Sequence, residues 1–246
     1  MNTLKPKETY KRGYPVAILA GLEETHALLW KVFSKVVKPE KTLTINGTRN
    51  NPKALYNFHE SIINALRPTL KEGVRSIILA SPAKTNYAQE FTNHIRHHHT
   101  WLIQSPNKAA FSEITGSANT PSQVAALTRT KAFRQLICET TSEETESLIE
   151  ILEKRLSISN KNNLVLFSLE EAEAVILYQQ NATRPKPEYL LLTDRYLSGN
   201  RQKNRLYRLM QIAQNRKVKT RIVHAESPAG LRLTQLGGIV CIAKPE

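Results

Sequence analysis

The chain has 246 residues, enough for two domains of ordinary size that each bury a core. Apolar residues make up 40% and charged ones 23%, which excludes a disordered chain, and no apolar run approaches the roughly 20 residues of a membrane helix. Thirty-five Lys and Arg against 21 Asp and Glu give a formal charge of +14, enough to steer association with a polyanion.

The charge is unevenly spread. Residues 1–140 hold 19 basic and 9 acidic side chains, residues 141–173 hold 3 and 8, and residues 174–246 hold 13 and 4, so two basic regions flank an acidic belt. Met1 to Arg12 is polar and basic without an apolar stretch, which reads as a basic tail over residues 1–13 and not as a secretory signal. Cys138 and Cys241 are far apart and lack metal-ligand spacing, as expected of reduced thiols in a cytoplasmic protein.

In chain order, Val16 to Ala20 is an apolar run, Gly21 to Glu24 supplies turn chemistry, and Thr25 to Phe33 alternates, with His26, Leu28, Trp30 and Val32 on one face. This predicts a β-hairpin, extended by a third strand through Lys41, Leu43 and Ile45. A polar loop from Asn46 to Asn51 follows, with Asn51 as N-cap and Pro52 at the first helical position. Leu55, Phe58, Ile62 and Leu66 then form the apolar stripe of a helix. Ile77 to Ala80 predicts a buried strand. Ser81-Pro82 reads as a cap opening a helix that carries Tyr87, Phe91 and Ile95, and Thr100 to Ile103 as a further strand. Gln104 to Pro121 lacks periodicity and is expected to be a long surface loop, ahead of a helical stretch through Val124, Leu127 and Phe133.

The pattern changes context near residue 138, so domains are expected over residues 14–137 and 138–246. Thr141 and Glu144 have the spacing of a capping box ahead of Leu148, Leu152 and Leu156. Leu164 to Phe167 predicts a strand, and Ser168 with Glu171 caps the next helix. Tyr189 to Leu192 is a strand ending in Thr193-Asp194, and a helix over residues 202–215 precedes strands Val218–Val223 and Ile239–Ala243. Strands alternating with helices imply an α/β protein with layered sheets and helices on their faces.

The catalytic inventory is poor. No Gly-x-Ser-x-Gly surrounds Ser81, and neither a P-loop nor a dinucleotide fingerprint occurs, so no catalytic residue and no cofactor are expected. His97, His98 and His99 are consecutive, so they point to different sides, and no Cys or carboxylate is spaced to join them. They are expected to close a helix beside Arg96, with no metal. The Gly237-Gly238 pair predicts a tight turn before the last strand.

Basic features carry more. Arg49 and Lys53 sit in a flexible, amide-rich loop able to follow a phosphate backbone. Arg201, Arg205 and Arg208 fall at i, i+4 and i+7, opposite Leu206, Leu209, Met210 and Ala213, and the ridge continues through Arg216, Lys217, Lys219 and Arg221. Arginine forks match phosphate geometry, so Arg49, Lys53, Arg201, Arg205, Arg208, Arg216, Lys217 and Lys219 are the candidate RNA contacts.

The order of three segments resembles a known family. Leu164-Val165-Leu166-Phe167-Ser168-Leu169-Glu170-Glu171-Ala172, then Leu190-Leu191-Leu192-Thr193-Asp194, then Leu236-Gly237-Gly238-Ile239-Val240 are similar to the C-terminal domain of Pelota and the archaeo-eukaryotic class-one release factors. Ile77-Ile78-Leu79-Ala80-Ser81-Pro82 resembles a strand end of the family's central domain, with Ala83 in place of the usual glycine. The resemblance implies two layered α/β domains and no codon-side domain before residue 14. It implies binding of the ribosome and of tRNA or rRNA, and a translational GTPase or ribosome-splitting ATPase as protein partner. No Gly-Gly-Gln occurs, and Gly199-Asn200-Arg201-Gln202 matches a related Gly-x-x-Gln string only in the wrong domain. The expectation is therefore a non-catalytic, cytoplasmic translation factor acting in rescue of stalled ribosomes or in association with idle ones. The alternatives are a peptidyl-tRNA hydrolase with an unconventional loop around Asn46 to Asn51 and a simpler structured-RNA-binding protein.

Overall fold

A computed structural model describes residues 13–104, 108–157, 164–177 and 186–244, so the basic tail expected over residues 1–13 lies, apart from Gly13, outside the described residues. The chain divides into two compact units. The first takes in the chain up to Arg67 and Arg75–Thr140, the second Pro68–Val74 and the chain from Thr141.

The first unit is built on a five-stranded sheet. Strands β1 (Pro15–Leu22), β2 (His26–Phe33) and β3 (Val37–Thr44) form an antiparallel meander, and β4 (Ser76–Ser81) and β5 (Ala110–Thr115) add in parallel beside β1, giving the order β3-β2-β1-β4-β5. The predicted hairpin closes where the Glu23 N–H donates to the His26 carbonyl at 2.9 Å. Helix α1 (Pro52–Lys71) starts as predicted, the Asn51 Oδ1 accepting from the N–H groups of Lys53 and Ala54 at 3.0 and 3.2 Å. Parallel pairing of β1 with β4 needs such a crossover, and every residue of β4 is buried.

Period-2 alternation sends Ala17, Leu19, Ile78 and Ala80 to one face of this sheet, where they pack with Trp30, Val32, Ala118, Val124 and Phe133. The buried Trp30 indole N–H donates to the Ala118 carbonyl at 2.7 Å. Val124 lies on α3 (Pro121–Arg129), which a full Thr120–Gln123 capping box opens, and Phe133 on α4 (Lys131–Ser157).

Four expectations fail in regular structure. The expected loop from Gln104 to Pro121 contains β5, because β4 offers a parallel partner in register from Ser76–Ala110 to Ser81–Thr115. Thr100–Leu102 is a 3-10 turn and not a strand. Ser81-Pro82 caps no helix. Ser81 ends β4, its carbonyl accepts from the Gly116 N–H at 2.8 Å, and α2 (Tyr87–His98) begins only after a turn in which Lys84 takes φ +64°. Thr141 and Glu144 form no capping box either, since both lie inside the 27-residue helix α4, where Thr141 accepts from the Thr145 hydroxyl.

The second unit has the strand order β6-β9-β7-β8, from β6 (Leu164–Leu166), β7 (Lys186–Thr193), β8 (Lys219–Val223) and β9 (Ile239–Lys244). β7 and β8 are parallel, and β9 is antiparallel to both its neighbours. Helix α5 (Leu169–Leu177) opens with the predicted box: the Glu171 N–H donates to the Ser168 hydroxyl at 3.2 Å and the Ser168 N–H to the Glu171 carboxylate at 3.2 Å. Helices α6 (Asp194–Gly199) and α7 (Lys203–Asn215) cross from β7 to β8, and α8 (Pro228–Gln235) leads to β9. Leu148 and Leu152 of α4 pack with Tyr189, Leu191, Val223, Ala229, Leu233, Val240 and Ile242.

Glycine is required where α8 approaches the preceding turn, since a Cβ on Gly230 would lie 1.9 Å from the His224 carbonyl oxygen. Gly237 and Gly238, at φ +99° and +81°, make the predicted turn into β9. Cys241 is buried in β9, and burial pushes its thiol up to about 12, so it is an inert core residue. Among the described residues no helix is long and apolar enough to cross a membrane.

Candidate nucleic-acid interface

The eight candidate cations separate into two groups once their surroundings are known. Arg49 is spent inside the fold. Its guanidinium donates to the Glu23 carbonyl at 2.7 Å, to the Glu24 carbonyl at 2.9 Å and to the Glu90 carboxylate at 2.9 Å, and lies 3.9 Å from the centre of the Tyr87 ring. Burial lowers its pKa, opposed chiefly by the charge of Glu90. With a side chain 10% exposed, it staples the hairpin turn to α2, so a phosphate contact by Arg49 would first have to break these internal bonds. Lys53, on the first turn of α1, is exposed and pairs with no described residue through its side chain.

In the second unit the sequence places Arg201 in line with Arg205 and Arg208, but helix α7 starts at Lys203, so Arg201 lies in the preceding turn. The predicted buried stripe of Leu206, Leu209, Met210 and Ala213 is as expected. Arg205 is turned onto Glu173, donating through Nε to both carboxylate oxygens at 2.8 and 2.9 Å, with Gln202 accepting from Nη1. Arg216 donates to the carbonyls of Ile176 and Leu177, capping the end of α5. Lys219 donates to the Tyr189 hydroxyl at 3.0 Å and sits 4.6 Å from that ring's centre. Arg221, read as part of the ridge, is buried and bonded to Glu144 at 2.6 Å. Arg201, Arg208 and Lys217 remain exposed and side-chain unpaired among the described residues. Lys53, Arg201, Arg208 and Lys217 are therefore the candidates left able to meet phosphate without first breaking an internal bond.

Asp194, the first residue of α6 directly after β7, ties the start of that helix to the turn after β8. Its Oδ1 accepts from the N–H groups of Arg195 and Ala225 at 2.8 and 2.9 Å, and its Oδ2 pairs with His224 Nδ1 at 2.7 Å. Burial pulls its pKa up, but donation from His224 and these backbone groups outweighs that and holds it below the ordinary 3.8. A depressed carboxylate stabilises the fold above its ordinary pKa, and that contribution disappears as pH falls through the lower folded value. Asp194→Asn should cost about 1–2 kcal/mol at neutral pH and flatten the loss of stability below about pH 4. Urea unfolding followed by circular dichroism at both pH values checks this. Equal acid sensitivity in both proteins would contradict it.

One cluster was not anticipated. Glu60 of α1 accepts at Oε1 from His94 Nε2 at 2.9 Å and from His99 Nε2 at 2.6 Å, and the Trp101 indole N–H points at His99 Nδ1 at 3.3 Å. Burial raises the Glu60 pKa, yet the two histidines more than reverse this and leave it lowered; His94 is lowered too, chiefly by burial. The adjacent His59 is pushed down to about 3 by burial and by His94. The run at residues 97–99 does close a helix, as expected, but the carboxylate that the sequence lacks nearby arrives from another helix.

No protein-family model matches the sequence, and neither does any curated protein. Solved structures do match. S. cerevisiae Dom34, a translation termination-like factor involved in RNA quality control pathways and interacting with Hbs1, aligns at TM-score 0.50 and 19% identity, covering 94% of this chain and 62% of that one. An archaeal Pelota, ribosome-bound with ABCE1, aligns at TM-score 0.55 and 17% identity over 98% of this chain and 65% of that one. The chain thus spans just under two thirds of the length of these proteins. At such identity the likeness concerns architecture, and the chain carries a Pelota-like α/β fold.

Proposed function

We propose that the chain is a non-catalytic, Pelota-like translation factor of the cytoplasm that binds the ribosome, through rRNA or tRNA phosphate, in rescue of stalled ribosomes or association with idle ones. The observation that carries the reading is the alignment of 98% of the chain with a Pelota that is ribosome-bound. A formal charge of +14 and the exposed Lys53, Arg201, Arg208 and Lys217 support a polyanionic partner. Its protein partner on this reading is a translational GTPase or a ribosome-splitting ATPase, and a protein partner accompanies both similar structures, Hbs1 for Dom34 and ABCE1 for archaeal Pelota. The sequence contains no Gly-Gly-Gln with which to position a hydrolytic water, so no acceleration of peptidyl-tRNA hydrolysis is expected.

Sucrose-gradient sedimentation with vacant and with stalled ribosomes tests the reading. The chain should travel with ribosomes. Replacing Lys53, Arg201, Arg208 and Lys217 by Ala should weaken binding and make its log–log salt slope shallower by about 0.7–0.9 for each phosphate no longer neutralised. Arg49→Ala should instead act through stability, because its guanidinium is internally bonded. Binding to free structured RNA without co-sedimentation would replace the proposal with the simpler RNA-binding function. Peptidyl-tRNA turnover well above a buffer control, abolished by Asn50→Ala, would establish the hydrolase.

A further inference from the structure

We infer that Glu60, His94 and His99 form a binding site for a zinc-type divalent transition-metal ion. One carboxylate oxygen and two imidazole nitrogens converge there, and these three atoms lie within 4.8 Å of one another. Two histidines and a carboxylate are a donor set suited to Zn²⁺ or Co²⁺ and poorly suited to Mg²⁺ or Ca²⁺, which take oxygen ligands.

The placement of the donors favours capture. His94 projects from α2, His99 stands just beyond its end and Glu60 comes from α1, so an ion would tie together segments that contribute one ligand each. The histidine side chains are only 6% and 9% exposed, and Glu60 is 26% exposed, so the ligands are held by packing while the carboxylate side stays open to entry from solvent. A tetrahedral ion with bonds of about 2.0–2.1 Å needs its ligand atoms roughly 3.3 Å apart. The contacts of 2.9 and 2.6 Å to Glu60 would open slightly, and the two imidazole nitrogens would draw together. Three protein ligands leave a further position for water.

The competing account is a hydrogen-bonded triad in which Glu60 merely holds two histidines. The two accounts differ in the protons. In the triad, the Trp101 indole N–H donates to His99 Nδ1, so a neutral His99 carries its proton on Nε2 and donates it to Glu60. Metal binding replaces the proton on Nε2. A neutral ring then holds one on Nδ1, and the Trp101 indole loses its acceptor. Trp101 is 37% exposed and its ring lies beside both His99 and the Arg67 guanidinium, whereas the only other tryptophan, Trp30, is buried elsewhere in the same unit. Indole fluorescence therefore reads the event directly.

The full chain, stripped with chelator and dialysed, is titrated with Zn²⁺ by calorimetry and by tryptophan fluorescence, and separately with Co²⁺ by visible absorption. One ion per chain, a fluorescence change that saturates at the same ratio, and a tetrahedral Co²⁺ spectrum are expected. Glu60→Gln and His99→Gln, which keep size and polarity, should each weaken Zn²⁺ binding at least tenfold with the circular dichroism spectrum retained. The exposed His97, whose Nδ1 bonds to the Asn93 carbonyl, serves as control, and His97→Ala should bind as the parent does. Absence of uptake at about a hundredfold excess of Zn²⁺ would overturn the inference. So would uptake that survives both Glu60→Gln and His99→Gln but vanishes in His97→Ala.

Discussion

Replacing Arg221 by Ala is expected to destabilise the second unit by about 3–5 kcal/mol, because it leaves the carboxylate of Glu144 buried without its cation. The pair joins β8 to α4 at 2.6 Å, with side chains 3% and 1% exposed. Taking the arginine away removes the cation bonded to a carboxylate whose side chain is only 1% exposed. Removing both should cost far less, since a buried pair repays little more than its own desolvation. The double change Arg221→Met with Glu144→Leu is therefore expected to recover most of the loss. Both tryptophans belong to the first unit, so unfolding of the second unit is followed by far-UV circular dichroism in urea. A single change costing under about 1 kcal/mol, or a double change as damaging as the single, would contradict the argument.

Trp30→Ala should destabilise the first unit by a comparable amount, about 3–5 kcal/mol. Two terms add. The indole fills a position 2% exposed among Leu19, Val32, Ile78 and Phe133, and its N–H is the donor to the Ala118 carbonyl. Trp30→Phe separates them: it keeps most of the apolar packing and removes only the donor, so about 1–2 kcal/mol is expected. Urea unfolding by circular dichroism measures both, and equal losses for Phe and Ala would mean that the hydrogen bond, not the packing, dominates. The Trp30→Phe protein has the added use of leaving Trp101 as its only tryptophan.

Where one segment settles its own conformation, the sequence is a sufficient guide. The alternation through Leu28, Trp30 and Val32, the Asn51-Pro52 cap, the Ser168–Glu171 box and the Leu206–Leu209–Met210–Ala213 stripe depend on neighbours within one or two turns, and all stand where periodicity puts them. Ala110–Thr115 fails that condition. Its alternation is short and set among Ser, Asn, Thr and Ala, and what makes it a strand is β4, some thirty residues earlier. Thr141 and Glu144 carry local capping chemistry, but an uninterrupted helical run from Lys131 and a distant arginine outweigh it.

The candidate site was legible in the same uneven way. Cations could be counted, but not whether they were engaged. Arg49 meets Glu90, 41 residues on, and Arg205 meets Glu173, 32 residues back. No local pattern shows such partners, so an arginine facing solvent and one folded onto an acid look the same in sequence. The Glu60–His94–His99 cluster was hidden for a like reason. The histidines attract attention as a run at residues 97–99, yet only the last of these takes part, and the carboxylate comes from 39 residues earlier.

Strand β3 sits at the rim of its sheet, and residues 39–42 there, Pro39, Glu40, Lys41 and Thr42, are all exposed. A second copy attempting to extend the sheet along that rim would meet a proline that offers no N–H and would bring Lys41 and Glu40 against its own backbone. In a crowded solution the rim thus discourages the strand-to-strand templating that seeds insoluble polymer. Under heat or mild denaturant, coalescence of this protein should begin from its uncovered cores and not from intact molecules joining at β3.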